Sequence, residues 1–146
     1  MDQILDLPSG SERHLNYAGF WIRVGAYFID GIILWVVNLI IAFAFLGGYD
    51  IMGSNVPLTI ISVILGIVYF CAFESSSRQA TLGKMAVGIK VGYSTGERIS
   101  FGTALGRYFG KILSGLILGI GFMMAGWDSK KQALHDKLAN TYVYYV

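Results

Sequence analysis

The sequence has little charge and very little cysteine, proline or histidine. Of its 146 residues only 14% are charged, and it has one cysteine, two prolines and two histidines. A soluble domain usually has about 25% charged residues, so this chain has too little polar surface to cover a soluble core. The net charge of +2 is too small to indicate a nucleic-acid partner, and Cys71 has no second cysteine for an intramolecular disulfide. These shortages argue against a soluble enzyme and a basic nucleic-acid module.

Apolar residues make up most of what is present. Hydrophobic residues account for 55% of the chain, which also contains 19 glycines. This composition predicts an integral membrane protein, and the length allows one domain. The sequence contains no H-E-x-x-H or G-x-S-x-G motif, and its histidines and cysteine are too few for a zinc site. We therefore expect no enzyme activity, no cofactor and no metal.

Two apolar runs are long enough to cross a bilayer, which requires about 20 residues and at least about 17. The first spans residues 24–46 and is interrupted only by Asp30 and Asn38. A cleaved signal peptide is an alternative for this run, but the run is too long and no short basic segment precedes it. The second spans residues 56–73. The sequence predicts two transmembrane helices.

The distribution of lysine and arginine predicts the orientation. The loop between the two runs has neither residue, whereas the segment 74–111 is rich in both. The positive-inside rule therefore places the N-terminus and residues 74–111 in the cytoplasm.

A third apolar run at residues 112–127 is short and rich in glycine, and basic residues follow it. It is either a third full span or a re-entrant hairpin that returns the chain to the cytoplasm. The charge rule favours the hairpin. Residues 88–93 and 141–146 have the composition of strands, and they can pair only if the chain returns. The predicted fold is an all-α polytopic membrane protein with two transmembrane helices, a short third membrane segment and a small cytoplasmic β element.

Asp30 is an acidic residue within a predicted span, which makes it a candidate functional residue. Arg23 lies seven residues earlier on the same helix face, and Asn38 lies somewhat off that face. A buried carboxylate must bind a cation, accept hydrogen bonds or hold a proton, and each of these suits ion or proton handling. The alternative is that Asp30 fixes helix packing by pairing with Arg107, Lys111 or Arg23.

Other polar residues lie near the predicted cytoplasmic surface. Glu74 ends the second span at the same level as Arg23, so we expect an ion pair between these two residues. His135 and Asp136 are neighbours on a short C-terminal helix that Asp128 is expected to cap, and His135 is expected to titrate near neutral pH. Glycines at four-residue spacing (102, 106 and 110) suit close helix packing within the chain or between copies.

Four short blocks of the sequence resemble those of a known family. They occur in the expected order within residues 17–146, at residues 20–30, 79–84, 88–91 and 131–141. This set is similar to the RDD family of small bacterial membrane proteins. Ala80 departs from the pattern of the family, in a loop.

The resemblance implies a functional set and a location. The family takes its name from one arginine and two aspartates, and Arg23, Asp30 and Asp136 match them by motif position, with Asp128 a poorer match for the last. It implies a multi-pass protein of the bacterial inner membrane, with residues 1–19 as a cytoplasmic leader and residues 20–146 as a single domain. Some relatives resemble cation/proton antiporters, and others accompany membrane partners.

Two hypotheses follow. In the first, a homo-oligomer exchanges cations for protons: Asp30 binds the ion, Arg23 competes for its carboxylate or sets its pKa, and Asp136 shapes the cytoplasmic mouth. Asn38, Glu74, Arg107 and His135 are expected to support this site. In the second, the protein is a non-catalytic accessory subunit of a larger membrane complex. Anionic lipids at the cytoplasmic face are expected partners in both cases, through Lys84, Lys90, Arg98 and Lys111.

Overall fold

A computed structural model describes residues 15–45, 47 and 55–146 of the chain. Within these ranges the secondary structure is mostly helical, with one two-stranded sheet. The elements in chain order are α1 (Phe20–Phe45), α2 (Val56–Ser75), α3 (Leu82–Ala86), β1 (Ile89–Gly92), α4 (Phe101–Leu116), α5 (Ile120–Trp127), α6 (Leu134–Ala139) and β2 (Tyr142–Tyr145).

The helices α1 and α2 are each long and apolar enough to cross a membrane. They confirm the two predicted spans, although α1 begins four residues earlier than the first apolar run, at Phe20. Asn55 caps α2, because its side chain accepts a hydrogen bond from the backbone N–H of Leu58, and Pro57 lies in the first turn. Proline suits this position because the first turn of a helix has no partner for its N–H groups.

The third apolar segment forms a bent helix pair. The helices α4 and α5 meet at an angle of 102°. Leu118 and Gly119, between them, both have positive φ angles, of 58° and 76°. Glycine adopts this conformation readily, whereas it is unusual for leucine. The first helix of this pair, α4, begins at Phe101, well before the start predicted at residue 112. Arg107 and Lys111, which the sequence placed in a loop, therefore lie within α4.

A small antiparallel sheet joins β1 to β2, with Ile89 opposite Tyr145 and Gly92 opposite Tyr142. Tyr17, just before α1, forms an isolated bridge to Tyr144. The start of α1 and both strands therefore lie together, at what we term the sheet end of the molecule. Because β1 precedes the bent pair and β2 follows it, the chain enters and leaves that pair at the sheet end. The predicted strand pairing is confirmed, and the bent pair has the shape that the predicted hairpin requires.

Two short helices complete the sheet end. Thr81 caps α3, and its hydroxyl accepts a hydrogen bond from the backbone N–H of Lys84 at 3.3 Å. Asn140 ends α6 in the left-handed conformation, which asparagine adopts more readily than most residues other than glycine. Asp128 does not cap α6, which begins at Leu134. Its carboxylate accepts from the backbone N–H groups of residues 130 and 132, both at 3.1 Å, and so closes the turn before the helix.

The hydrophobic core lies at the sheet end rather than between the long helices. Its buried residues come mainly from the strands, from α4 and from the sheet-proximal parts of α1 and α2, and they are Ala18, Ala26, Cys71, Ile89, Val91, Ile99, Ala104 and Val143. Only four residues of α1 are buried, and about half of the large apolar side chains of α1 and α2 are exposed. Such a surface is suited to lipid or to another membrane helix.

Candidate functional site

Six charged residues form a buried ionic network at the sheet end. They come from four helices, α1 to α4, and from α6. Five of the side chains are at most 5% exposed and that of Lys111 is 11% exposed. The members are Arg23, Glu74, Lys84, Arg107, Lys111 and Asp136. Buried charges are costly unless they are paired, so the network links these helices to one another.

Glu74, in the last turn of α2, contacts three cations. Its Oε1 atom accepts from Lys84 Nζ at 2.5 Å and from Lys111 Nζ at 3.0 Å. Its Oε2 atom accepts from Arg107 Nε at 3.0 Å. These contacts bring α3 and α4 against the end of α2.

Asp136, in α6, connects to the other end of the network. One carboxylate oxygen accepts from Arg107 Nη1 and the other from Arg23 Nη1. Burial alone would raise the pKa of Asp136, but Arg107, together with Arg23, holds that pKa below its ordinary value. Arg107 therefore bridges Glu74 and Asp136, and the network is continuous from α1 to α3.

The predicted ion pair between Arg23 and Glu74 is wrong. Arg23 bonds instead to Asp136, to the carbonyl oxygen of Ala18 at 3.1 Å and to that of Lys131 at 2.5 Å. The physical reason is that α6 places Asp136 beside Arg23, while three closer cations already surround Glu74. Neither arrangement could be predicted from positions along the two spans, because both depend on how the C-terminal segment returns.

Asp30 is fully buried and accepts three hydrogen bonds. Tyr69 Oη donates to Oδ1 at 2.7 Å, the backbone N–H of Gly83 donates to Oδ1 at 2.7 Å, and Thr81 Oγ1 donates to Oδ2 at 2.6 Å. In the described part of the chain Asp30 has no cation partner, so the expected packing pairs with Arg107, Lys111 or Arg23 are wrong. Three neutral donors stabilise the carboxylate in their place.

Two further predicted site residues lie outside the network. Asn38 links α1 to α2, because its amide donates to the carbonyl oxygen of Leu34 at 2.8 Å and accepts from Ser62 Oγ at 2.5 Å.

His135 is 1% exposed and its ring packs against Phe122, with centroids 5.4 Å apart. Neither ring nitrogen has a hydrogen-bond partner among the described residues. Burial holds the pKa of His135 well below its ordinary value, so the expected titration near neutral pH is wrong.

The sequence-based interpretation assigned Lys84 only to a lipid-contacting surface. In the structure its side chain is fully buried against Glu74, and burial lowers the pKa of Lys84 to about 7 against the attraction of that carboxylate. Tyr69, Thr81 and Gly83 were also missed as partners of Asp30. The only available signal was Thr81, a helix-capping residue type that precedes a glycine and a lysine.

Within the described ranges, no group of three or more histidine, cysteine or acidic side chains is placed to hold a metal ion.

Comparison with known proteins supports the same picture. The model of the RDD family matches residues 17–140. The chain is 40% identical to the Bacillus subtilis strain 168 protein named "Uncharacterized protein YxaI", over 88% of this chain and 97% of that protein. It is 29% identical to the "Uncharacterized membrane protein YteJ" of the same strain, over 87% of this chain and 80% of that protein. No solved structure matches.

Proposed function

This chain belongs to the RDD family of membrane proteins, and from that premise we propose that it exchanges a monovalent cation for a proton across the bacterial inner membrane. The observation that carries the proposal is the buried pair between Lys84 and Glu74, whose charged atoms are 2.5 Å apart. Because the pKa of Lys84 is about 7, the ammonium group can gain or lose a proton near physiological pH. A lysine with such a pKa in a buried site is a candidate proton carrier.

The exchange conserves charge within the site. When Lys84 loses its proton, Glu74 keeps two cation partners and loses the third. An incoming monovalent cation would take the place of the ammonium group beside the Glu74 carboxylate, so the net charge of the network would stay the same. A constant net charge matters because unbalanced charge is costly in a medium of low dielectric constant.

In this mechanism Asp30 positions the proton carrier. Its three donors occupy both carboxylate oxygens, and one of them is the backbone N–H of Gly83, the neighbour of Lys84. Asp30 therefore fixes α3 against α1 and sets where Lys84 meets Glu74. Arg23 and Asp136 fix α6 in the same way and complete the RDD set. Direct ion binding by Asp30 remains the alternative, and the variants described in the Discussion distinguish the two roles.

The proposed transporter is a homo-oligomer with its sheet end in the cytoplasm. Two crossing helices and a re-entrant pair enclose too little space for a pathway, so a second copy is needed. A Cβ at Gly106 would meet nothing within 4 Å, which leaves that part of α4 open to close approach by another helix. The lysine and arginine residues concentrate at the sheet end, which supports its cytoplasmic orientation.

The test is proton flux in proteoliposomes that contain the purified protein and a trapped pH indicator. We expect addition of Na⁺, K⁺ or Li⁺ to drive proton movement for at least one cation. In Lys84→Arg we expect flux to fall at least tenfold, because arginine keeps the ion pair with Glu74 but does not lose its proton.

The matched control is Lys130→Gln, which removes an exposed lysine outside the network and is expected to leave flux unchanged. Size-exclusion profiles establish that each variant is folded. Absence of flux from folded wild-type protein with all three cations would refute the exchange. Full flux in Lys84→Arg would refute the role of Lys84.

A second function, that of a non-enzymatic accessory subunit, is favoured by a different observation. Large aromatic side chains recur along one face of α1 and are exposed, namely Trp21, Phe28, Trp35 and Phe43. Aromatic residues are enriched where proteins bind each other. Purification of the protein from its native membrane tests this role. Recovery of a second membrane protein in fixed stoichiometry would support it, whereas recovery of the homo-oligomer alone would support transport.

A further inference from the structure

A cavity of about 750 Å³ lies between α1, α4 and α5, beside the ionic network. Its volume is within the range of about 300–1,000 Å³ that ligand sites occupy. Most of its wall is apolar or aromatic, and the inner end is reached by charged or polar side chains. The residues used below are Phe28, Leu118, Met123, Arg23, Lys111 and His135.

The apolar rim of the cavity faces the region that the bilayer occupies. Phe28, Leu118 and Met123 line the cavity and are 69%, 89% and 47% exposed. Phe28 belongs to a membrane-spanning helix, and the other two belong to the re-entrant pair. The rim is therefore open to the lipid phase, which suits a ligand with an apolar chain.

The inner end of the cavity is basic. The cations Arg23 and Lys111 line it beside the neutral ring of His135, and none of the described lining residues is acidic. Lys111 uses one donor on Glu74, at 3.0 Å, and an ammonium group has three. A negatively charged head group is complementary to this end.

His135 supplies an independent indication of a ligand. It is 1% exposed and lines the cavity, and neither ring nitrogen has a hydrogen-bond partner among the described residues, although Nε2 lies 3.5 Å from Asp136 Oδ1. Leaving a buried polar group unpaired costs about 1–3 kcal/mol, so such groups in native proteins usually have a partner. Both nitrogens are covered in the structure, so a ligand oxygen within the cavity would provide this partner once the ring turns towards it.

The charges of the ionic network indicate the same ligand. The described ion pairs connect four cations, Arg23, Lys84, Arg107 and Lys111, to two carboxylates, those of Glu74 and Asp136. One further carboxylate would reduce this excess of positive charge. Its two oxygens match two donors, one from Lys111 and one from His135, whereas a phospholipid head group carries more oxygens and a glycerol backbone.

We propose that this cavity binds a long-chain carboxylate, a free fatty acid from the bilayer, with its head group at Lys111 and His135. The acyl chain lies along Phe28, Leu118 and Met123. This site does not depend on the proposed ion exchange, because binding requires no ion gradient and no movement of Lys84.

The test is equilibrium binding of radiolabelled palmitate to the purified protein in a non-ionic detergent. We expect saturable binding of one palmitate per chain. Hexadecanol, which has the same chain and no charge, should compete at least tenfold less well than unlabelled palmitate. Dioleoylphosphatidylglycerol should not displace the label at a tenfold excess.

Two variants locate the site. In His135→Leu, which removes the unpaired nitrogens, we expect palmitate affinity to fall at least tenfold. Met123→Trp fills the exposed rim, where folding tolerates a larger side chain, and we expect a similar loss. The matched control is Val63→Trp, an equally exposed position on α2 outside the cavity, for which affinity should not change.

Several results would overturn the proposal. Folded wild-type protein that shows no saturable palmitate binding would refute the site. Equal competition by hexadecanol would show that the charged end is not recognised, and displacement by dioleoylphosphatidylglycerol would identify a phospholipid site instead. Unchanged affinity in Met123→Trp would place the binding elsewhere. None of these results bears on proton flux, so the two proposals can fail separately.

Discussion

The carboxylate of Asp30 in α1 accepts a hydrogen bond from the backbone N–H of Gly83 in α3, at 2.7 Å, although the two residues are 53 positions apart. The approach is close because residue 83 has no side chain. A Cβ there would lie 2.1 Å from the carbonyl oxygen of Ala26 and 2.7 Å from Asp30 Cγ. Glycine at this position therefore lets the short helix pack directly on the backbone of the membrane-spanning one.

We predict that Gly83→Ala destabilises the protein by about 1–3 kcal/mol, as overpacking of a tight site does. The helix backbone at Ala26 cannot move away without breaking its own hydrogen bonds. Denaturant unfolding in detergent measures the change. Gly115→Ala is the control, because residue 115 lies within α4, outside the part proposed to contact another copy, and a Cβ there meets nothing within 4 Å. It should stabilise the helix by up to about 1 kcal/mol. Equal destabilisation in the two variants would contradict the packing argument.

A second prediction concerns the charge of Asp30. Asp30→Asn replaces one acceptor oxygen with an N–H donor, which faces Tyr69, Thr81 or the backbone N–H of Gly83. We expect the free energy of unfolding to fall by about 1–3 kcal/mol, because a buried donor then lacks an acceptor. Tyr69→Phe, which removes a single donor, should have a smaller effect. If Asp30→Asn lost proton flux with no loss of stability, Asp30 would bind the transported ion directly.

A third prediction separates the buried ion pair of Arg23 and Asp136 from a surface pair. Asp136→Leu should cost about 3–5 kcal/mol, because it leaves the buried guanidinium group of Arg23 without a carboxylate. Arg23→Met should cost less, because Asp136 keeps its contact with Arg107. The double variant should cost less than the sum. Asp128 and Lys137 form the control pair, at 2.6 Å, with 16% and 41% of their side chains exposed. Their coupling in a double-mutant cycle should not exceed about 1 kcal/mol. Strict additivity for Arg23 and Asp136 would contradict the structure.

The fourth prediction concerns the pH dependence of stability. The pKa of Lys84 is about 7 in the folded protein, against an ordinary value of 10.5. Between these values the unfolded chain holds a proton that the native state has released, so this residue makes stability increase as pH rises from 7 towards 10.5. Below pH 7 both states are protonated and the contribution is constant.

Lys84→Met tests that pH dependence. Glu74, Arg107 and Lys111 surround the site and remain in the variant, so the comparison isolates the amine of residue 84. We expect the unfolding free energy of the wild type to rise more steeply than that of the variant between pH 7 and pH 9. Denaturant unfolding at intervals of half a pH unit measures both slopes. Parallel curves would show that Lys84 does not titrate in this range.

Much of the fold could be predicted from the sequence because it depends on local patterns. The two spans are continuous apolar runs, and the strands are short β-branched and aromatic segments. The start of α4 could not be predicted in this way. Arg107 and Lys111 are residue types typical of a cytoplasmic loop. They lie on the inward face of α4 because Glu74 of α2 pairs with both of them.

The sequence identifies most of the charged residues of the candidate site, but it does not show which of them contact each other. Arg23, Asp30, Glu74 and Asp136 stand out as charges near or within apolar runs, and all four are buried. Their partners depend on the return of the chain through α5 and α6, which no local pattern encodes. Lys84 was missed as a site residue because a lysine in a polar stretch is normally solvated.

The contact between Arg23 and Asp136 has a consequence for biosynthesis. The two residues are 113 positions apart, so α1 enters the membrane long before its acidic partner has been synthesised. Until the ribosome has added residues 136–145, Arg23 and Arg107 lack the carboxylate that they share, and Tyr17 lacks the strand to which it bridges. We therefore expect a chain that ends before residue 136 to fold incompletely, because it leaves both buried guanidinium groups without that carboxylate.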